Sequence, residues 1–375
     1  MGIIKSYAPG RVEWLGNHTD YNEGFVLSAA LDVGTSFEGS VRDDDKIVIK
    51  SIRYNETYES SIKTLAPIPE KHWANYPLGV VAEFIKVGYK ISGFEATIDG
   101  KVPIGAGLAS SAALEVSTAI FLKKAFNIAV DDITLAKMAR GAEHNYVGVK
   151  CGLLDQISSI FSKKDKATFI DFRSLEVKNI EVPQGYDLVI VNSGAKHALV
   201  AGEYNERRQS CENAAKKLGV KFLRDVNTKQ LEKRWLGDSK TMARQSFDNS
   251  VMLTETEYKR AKHIVGENER VIAAIEALGS GNIEKVGDLM NQSHASSQKY
   301  FENSCSELDY LVSKASELEG CIGSRLSGGG FGGATINLVK SEMVADFGRS
   351  IIEAYQTQYG IEPMVFITKP SGGAK

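Results

Sequence analysis

The chain has 375 residues, with 45 Lys+Arg against 47 Asp+Glu and a formal net charge of −2. A balance this close to neutral argues against a nucleic-acid binder that works by neutralising phosphates. The length suggests about two domains, each able to bury its own core, and the 43% hydrophobic and 25% charged fractions are those of an ordinary soluble globular protein.

In chain order, the first sixty residues read as strands, such as Lys46-Ile47-Val48-Ile49-Lys50 after the charged turn Asp43-Asp44-Asp45. Tyr76, Val80, Val81, Phe84 and Ile85 recur at helical spacing, and Phe94, Ala96 and Ile98 alternate as in a strand. One helix is predicted from Ser110 with Ala113, Leu114, Phe121, Leu122 and Ala125 on one side. Another is capped at Asp131 or Asp132 and aligns Leu135, Ala139, Ala142 and Tyr146. Strands follow at 167–172 and 186–192, flanking the turn-rich Glu181-Val182-Pro183-Gln184-Gly185, which marks a domain boundary. Helices are predicted over 203–218, 254–278 and 282–293, then a strand at 334–339, a helix at 341–358 and a strand at 363–368. The chain is a mixed α+β sequence without internal repeats or low-complexity tracts.

The cysteines, Cys151, Cys211, Cys305 and Cys321, form no Cys-x-x-Cys pair and no Cys/His cluster at zinc spacing, which fits a reducing cytoplasm. No apolar stretch approaches membrane-spanning length, and the N-terminus lacks the layout of a signal peptide. Residues Met1 to Ser6 match a loose myristoylation pattern, but no basic cluster follows to supply a second anchor.

Three segments are locally unusual. Val102-Pro103-Ile104-Gly105-Ala106-Gly107-Leu108-Ala109-Ser110-Ser111-Ala112 runs from a strand into a helix, so free N–H groups of the first helical turn offer an anion site and the serines add oxygen ligands. It is neither a Walker A loop nor a complete dinucleotide fingerprint. A Gly/Pro loop ahead of a helix cap is its structural alternative. Arg11 to Asn22 packs Arg, Asn, His, Asp and Tyr into one loop, the mixture of donors and acceptors that a polyhydroxylated sugar demands; a hydrogen-bonded turn is the alternative. Gly320 to Gly333 holds seven glycines in fourteen residues, a run expected to be neither helix nor ordinary strand. It reads either as backbone passing close to something or as a hinge.

In this order the segments resemble the galactokinases, within the GHMP superfamily of small-molecule kinases, over essentially the whole chain. The resemblance lies in Gly10-Arg11-Val12 with Gly16-Asn17-His18-Thr19-Asp20-Tyr21-Asn22, in Pro103 to Ala112, and in Gly323-Ser324-Arg325-Leu326-Ser327-Gly328-Gly329-Gly330-Phe331-Gly332-Gly333. Cys151-Gly152-Leu153-Leu154-Asp155-Gln156 and Trp73-Ala74-Asn75-Tyr76 add to it. It implies a two-domain α+β GHMP kinase fold, with a left-handed βαβ unit in an N-terminal domain (1–185), a ferredoxin-like α/β sandwich in a C-terminal domain (186–375), and an active site in the cleft between them.

The resemblance further implies ATP-dependent phosphorylation of the C1 hydroxyl of galactose or a close relative. Backbone N–H groups of Gly105, Ala106, Gly107, Leu108 and Ser110 would hold the ATP phosphates, and Ser111 with Glu143 would ligand Mg²⁺. Asp155 takes the place of the catalytic base and Arg11 that of the cation beside it, in a reaction where positioning and charge stabilisation supply most of the catalysis. Asn17, His18, Asp20, Gly152 and Tyr204 fall at the sugar-binding places, and Trp73 and Tyr76 near the adenine, although Tyr76 also lies on the apolar face of its helix. His72, His263 and His294 receive no role. The partner implied is a small-molecule sugar, with no nucleic acid or membrane.

One departure stands out. Galactokinases have Glu before His-Thr-Asp, expected to face the sugar's C6 hydroxyl, where this chain has Asn17. A C6 carboxylate opposite Glu would be repelled by about 4 kcal/mol at ~4 Å with an effective dielectric near ~20. Asn17 is therefore expected to relax C6 recognition, which makes galacturonate or another C6-variant sugar the alternative substrate. Glu13 and Trp14 stand where the pattern has smaller or aliphatic residues. From another class, the alternative is a catalytically silent sugar- and ATP-binding sensor, against which Ser110, Ser111, Glu143, Asp155 and Arg11 all speak by being present.

Overall fold

A computed structural model describes residues 2–69, 72–149, 151–196, 200–242 and 252–375. The chain forms two compact units, one of Met1–Val12, Ala29–Thr168 and Pro370–Lys375, the other of Glu13–Ser28 and Phe169–Lys369. This division differs from the expected 1–185 and 186–375. The reason is in the long first strands, which carry residues 13–28 into the second unit, and in the C-terminus, which returns to the first. There Tyr7 N donates to Lys375 O (2.8 Å) and Ser371 N to Ala30 O (2.9 Å).

The elements up to residue 181 are β1 (Ile4–Leu15), β2 (Phe25–Val41), β3 (Lys46–Ser51), β4 (Glu56–Ser61), α1 (Asn75–Lys86), β5 (Phe94–Gly100), α2 (Ser110–Ala125), α3 (Asp132–Ala142), α4 (Leu154–Phe161), β6 (Lys166–Asp171) and β7 (Glu176–Glu181). They build a seven-stranded sheet in the order β4-β3-β5-β2-β6-β7, with β1 also on β2. β3 and β5 are parallel, so their connection through β4 and α1 is a crossover, and β2 meets β5 antiparallel. Period-2 burial in β3 and β5 and the stripe of α1 supply one core, in which Ile47, Ile49, Phe94 and Phe37 meet Leu78, Val81, Phe84 and Phe121. Asp131 caps α3 as expected, accepting from Thr134 N at 2.9 Å.

From residue 186 the elements are β8 (Tyr186–Lys196), α5 (Val200–Lys217), α6 (Thr228–Met242), α7 (Glu255–Gly279), α8 (Ile283–Ser296), α9 (Ser306–Glu317), β9 (Cys321–Leu326), β10 (Gly332–Lys340), α10 (Val344–Tyr359) and β11 (Met364–Thr368). The four-stranded antiparallel sheet has the order β11-β8-β10-β9. Counting its strands along the chain gives 4-1-3-2 with α10 between the last two, which is the ferredoxin-like arrangement. Val189, Val191 and Val339 of the sheet pack against Leu311 and Ala315 of α9 and Phe347, Ile351 and Tyr355 of α10. α7 opens with a capping box, Thr254 accepting from Glu257 N (3.2 Å) while Thr254 N donates to Glu257 Oε2 (2.7 Å).

The glycine-rich run departs from expectation, because Cys321–Leu326 and Gly332–Lys340 are strands. A Cβ on Gly323 would lie 2.4 Å from Gly287 Cα, and one on Gly287 would lie 2.2 Å from Ile322 O. Part of the run is therefore strand whose missing side chain lets α8 lie directly on β9. α4, β7, α6 and α9 are absent from the predicted elements, although Leu308, Leu311, Val312 and Ala315 of α9 keep helical spacing.

Candidate functional site

The loop ahead of α2 is shaped from its sequence. Ala106 and Leu108 are buried at 1% and 2% exposure and pin it, whereas Gly105 and Gly107, at φ 75° and 67°, are exposed. Ala109 precedes α2 at φ 58° and no side chain caps the helix. The leading N–H groups of α2 thus keep their capacity for an anion, in contrast to those of the capped α3.

Arg11 ties this loop to the predicted reacting carboxylate. Its Nε and Nη2 donate to Asp155 Oδ1 at 2.8 and 2.5 Å, and its Nη1 donates to Gly107 O at 2.6 Å. Arg11 is buried, the Asp155 side chain is 26% exposed, and Oδ2 of Asp155 accepts no hydrogen bond among the described residues.

Glu143 begins a π-helical turn, Glu143–Val147, that continues α3. Its Oε2 accepts from Cys151 Sγ (2.8 Å) and Gln156 Nε2 (3.3 Å), and the Ser111 side chain also bonds it. Gln156 Nε2 donates as well to Glu115 Oε2 at 2.9 Å. Burial raises the pKa of Glu143, and the Asp155 charge adds to the rise against the Cys151, Ser111 and Gln156 hydrogen bonds. Burial likewise pushes Glu115 well above the carboxylate range, with the Glu143 charge behind it. Sequence alone gives Glu115, Gln156 and Cys151 no role; the spacing of Glu115 four residues after Ser111 on α2 is the signal that could have found the first. Gly152 lies half-buried just before α4, in a segment held by His144 Nε2 bonded to Cys151 O at 2.9 Å.

Trp73, Tyr76, Ser110 and Ser111 line one cavity of about 130 Å³ together with Arg53 and Tyr54. Trp73 stacks on Tyr54 with ring centroids 6.1 Å apart and donates through Nε1 to Glu56 Oε2 at 2.7 Å. His72 bonds the other oxygen, Glu56 Oε1, at 2.9 Å. Burial, with the Glu143 charge, raises the Tyr76 hydroxyl to about 12. Arg53 and Tyr54 carry no motif, so nothing in the sequence marks them.

The sugar loop is organised differently. His18, at φ 62°, is buried between Phe301 and Tyr204, at ring-centroid distances of 4.6 and 5.1 Å. Its Nε2 donates to Gly329 O (3.0 Å), so Nδ1 accepts from the Tyr21 hydroxyl (2.9 Å). Burial lowers its pKa to about 4 and keeps the ring neutral. Asp20 and Tyr204 are half-buried; the Asp20 charge acts on Tyr21 and Arg208, and the Tyr204 ring lies 5.7 Å from that of Tyr21.

The Asn17 amide is engaged at both ends. Nδ2 donates to Gly328 O (2.6 Å) and Glu13 Oε1 (3.1 Å), and Oδ1 accepts from Asn303 Nδ2 (2.9 Å). Glu13 Oε1 is also 3.1 and 3.2 Å from the Nη1 and Nη2 of Arg325, which is fully buried. The residues the sequence marks as departures are thus one network. Asn17 needs Glu13, and Glu13 neutralises Arg325. Helix α7 clamps the same turn. Gly16 N and Asn17 N donate to Glu267 Oε2 at 2.9 and 3.0 Å, and His263 Nε2 donates to Asn17 O at 3.2 Å. Burial would raise Glu267, but Arg270, His263 and Arg325 outweigh it and hold the carboxyl far below its usual range. Burial takes His263 down to about 3. These partners lie some 250 to 310 residues from the loop, beyond the reach of local pattern.

Comparisons with known proteins identify the family. The galactokinase galactose-binding signature matches residues 4–41, the GHMP kinase N-terminal domain 75–163 and the GHMP kinase C-terminal domain 274–356. The chain is 41% identical to a galactokinase of Glaesserella parasuis over 98% of this chain and 94% of that one. With a galactokinase of Thermotoga maritima it shares 38% identity over 99% of both. The Lactococcus lactis galactokinase complexed with galactose has the same fold at a TM-score of 0.90 and 31% identity, over 100% of this chain and 95% of that one. Full-length likeness at this identity, with the signature falling on the loop that holds Arg11, His18 and Asp20, makes the chain a member of the galactokinase family of GHMP kinases.

Proposed function

We propose that this protein is a galactokinase that transfers the γ-phosphoryl group of ATP to the C1 hydroxyl of galactose. The observation that carries the reading is the bridge from Asp155 through Arg11 to Gly107 O, which fixes a carboxylate beside the loop assigned to the phosphates. In this reading the N–H groups of Gly105 to Ser111 hold the ATP phosphates, and Trp73, Tyr76 and Tyr54 accommodate the base. The C1 oxygen forms its bond to the γ-phosphorus as the bond to the β–γ bridging oxygen breaks and ADP leaves. The hydroxyl proton passes to the Asp155 carboxylate, while Arg11 stabilises charge on the transferring group. Asp20, Tyr204 and Gly152 are the groups assigned to the ring hydroxyls, with His18 as the neutral support beside Tyr204.

Mg²⁺ belongs to the same reading. The Ser111 hydroxyl and the Glu143 carboxylate form a pair of oxygen donors, and the neighbouring Glu115 Oε1 and Gln156 Oε1 are buried without a hydrogen-bond partner among the described residues. An oxygen-only donor set of two protein ligands suits this hard cation, which takes its remaining ligands from phosphate and water. Bound there, it would neutralise charge on the phosphates. The four free cysteines fit a reducing compartment, and we assign the protein to the cytoplasm. Among the described residues, no helix is long and apolar enough to cross a membrane.

Asn17 bears on the substrate. Its amide is occupied by Glu13, Gly328 and Asn303, so relaxed recognition at C6 has no support from this side chain and galactose is the substrate favoured. ADP release measured with galactose, N-acetylgalactosamine, galacturonate and arabinose tests the assignment. Galactose should lead the panel, and the silent-sensor alternative requires no ADP release with any sugar.

A further inference from the structure

The second unit contains a groove that the kinase chemistry leaves unused. It has a volume of about 550 Å³ and lies between α7 and α8, with Thr228 of α6 also on its lining. Lys262, Gly266 and Arg270 come from α7; Gln292, Ser296 and Lys299 come from the chain of α8 and the turn that follows it. That volume is within the range of small-molecule sites.

On the lining of the groove, cations outnumber carboxylates. Glu269 is its lining carboxylate, and both oxygens are taken, accepting from Thr228 N (3.0 Å) and Thr228 Oγ1 (2.7 Å). Against it stand Lys262, Arg270 and Lys299. The ammonium groups of Lys262 and Lys299 sit 5.1 and 5.3 Å from the centre of the Tyr300 ring. Lys262 shares a 3.3 Å ion pair with Glu232, while the ammonium group of Lys299 has only the Tyr300 ring as a contact among the described residues. A Cβ on Gly266 would lie 3.1 Å from Arg270 Nη1, so the guanidinium lies across bare helix backbone.

The same arginine leads to the sugar loop. Arg270 Nε donates to Glu267 Oε1 at 2.6 Å, and the other oxygen of Glu267 holds Gly16 N and Asn17 N. An anion drawn to Arg270 competes with Glu267 for it, and any loosening of Glu267 is felt by the backbone of residues 16 and 17.

We propose that this groove is a binding site for a phosphate monoester of metabolite size, held by Arg270, Lys262 and Lys299, and that its occupancy weakens sugar binding through Glu267. An anion with several oxygens suits this donor set better than a carboxylate, since it can engage the arginine fork and two ammonium groups together. The binding is independent of the galactose reading; the coupling rests on it.

The test uses the full chain with a non-hydrolysable ATP analogue and galactose at saturation, so that the phosphate loop is occupied. Glucose 6-phosphate, AMP and inorganic phosphate are titrated by calorimetry into the wild type and into Lys262→Ala/Lys299→Ala. The wild type should bind, with glucose 6-phosphate or AMP tighter according to which monoester the site takes, and the double variant should bind at least tenfold more weakly. In turnover, the bound monoester should raise the KM for galactose about fivefold with kcat unchanged, the lower end of the usual range for coupled sites, and the double variant should lose that rise while keeping its basal kcat. Absence of binding to the wild type, equal binding to the variant, or binding that leaves KM unmoved overturns the proposal. Should galactose fail as substrate, the calorimetric comparison still decides the site.

Discussion

The phosphate loop and the sugar loop solve opposite problems with the same residue types. Around the phosphate loop, polar capacity is left over: α2 is uncapped, Asp155 engages Arg11 through one oxygen, and Glu115 Oε1 and Gln156 Oε1 are buried without partners among the described residues. Around the sugar loop it is spent inside the protein. Asn17 uses both ends of its amide, His18 both nitrogens, and Glu267 caps two backbone N–H groups. In the proposed reading, the region that receives a multiply charged nucleotide keeps unsatisfied groups for it. The region assigned to discriminate between neutral sugars is stiffened first, so that a few half-exposed groups are held where they are needed.

The contrast can be broken at either end. Asp155→Asn keeps the shape and removes the charge; kcat should fall by about 10²–10⁴-fold with little change in melting temperature, and a variant that retains wild-type kcat removes Asp155 from the reacting pair. Arg325→Met acts on the other side. It strands Glu13 in a buried position, so stability should fall by about 3–5 kcal/mol in denaturant unfolding, and Glu13→Gln in the same chain should restore a good part. Asn17→Glu should repeat the damage from the opposite direction, because two carboxylates some ~4 Å apart repel by about 4 kcal/mol at an effective dielectric of ~20. Relief by Glu13→Gln is again expected, and a stable, unperturbed Asn17→Glu would contradict the network.

Two smaller effects sharpen the comparison. His18 and His263 are held neutral, with pKa values near 4 and 3 against 6.5 unfolded. Between these values the unfolded chain binds more protons than the folded one, so stability falls as pH drops from about 6.5 towards 4. The loss should amount to a few kcal/mol, since each tenfold weakening of proton affinity on folding is worth about 1.4 kcal/mol, and unfolding midpoints across that window measure it. Gly323→Ala pushes a methyl into Gly287, 2.4 Å from its Cα, and should cost about 1–3 kcal/mol without altering the sugar preference.

Much of the site was legible because it is local. The Gly105–Ser111 loop and the Arg11–Asn22 loop each carry their proposed chemistry in consecutive residues, and the structure brings Ser111 to Glu143 and Arg11 to Asp155. What escaped was set by distant partners. Asn17 alone looked like a lost sugar contact; only Arg325, 312 residues from Glu13, gives it a structural reason. His263 carries no signal as a lone histidine, yet it bonds the carbonyl of Asn17. The glycine run looked like one ligand-facing feature, but Gly323 serves helix packing and Gly328 and Gly329 serve the sugar loop. The unit division escaped for a related reason, since no turn or linker marks the points where β1 and β2 pass from one unit to the other.

The central claim is tested most directly by kcat/KM on the sugar panel, with the phosphorylated product identified by NMR. The account predicts galactose as the preferred substrate, one ADP per galactose 1-phosphate, and loss of both in Asp155→Asn. ATP turnover without phosphorylation at C1, or a preference for galacturonate over galactose, would contradict it.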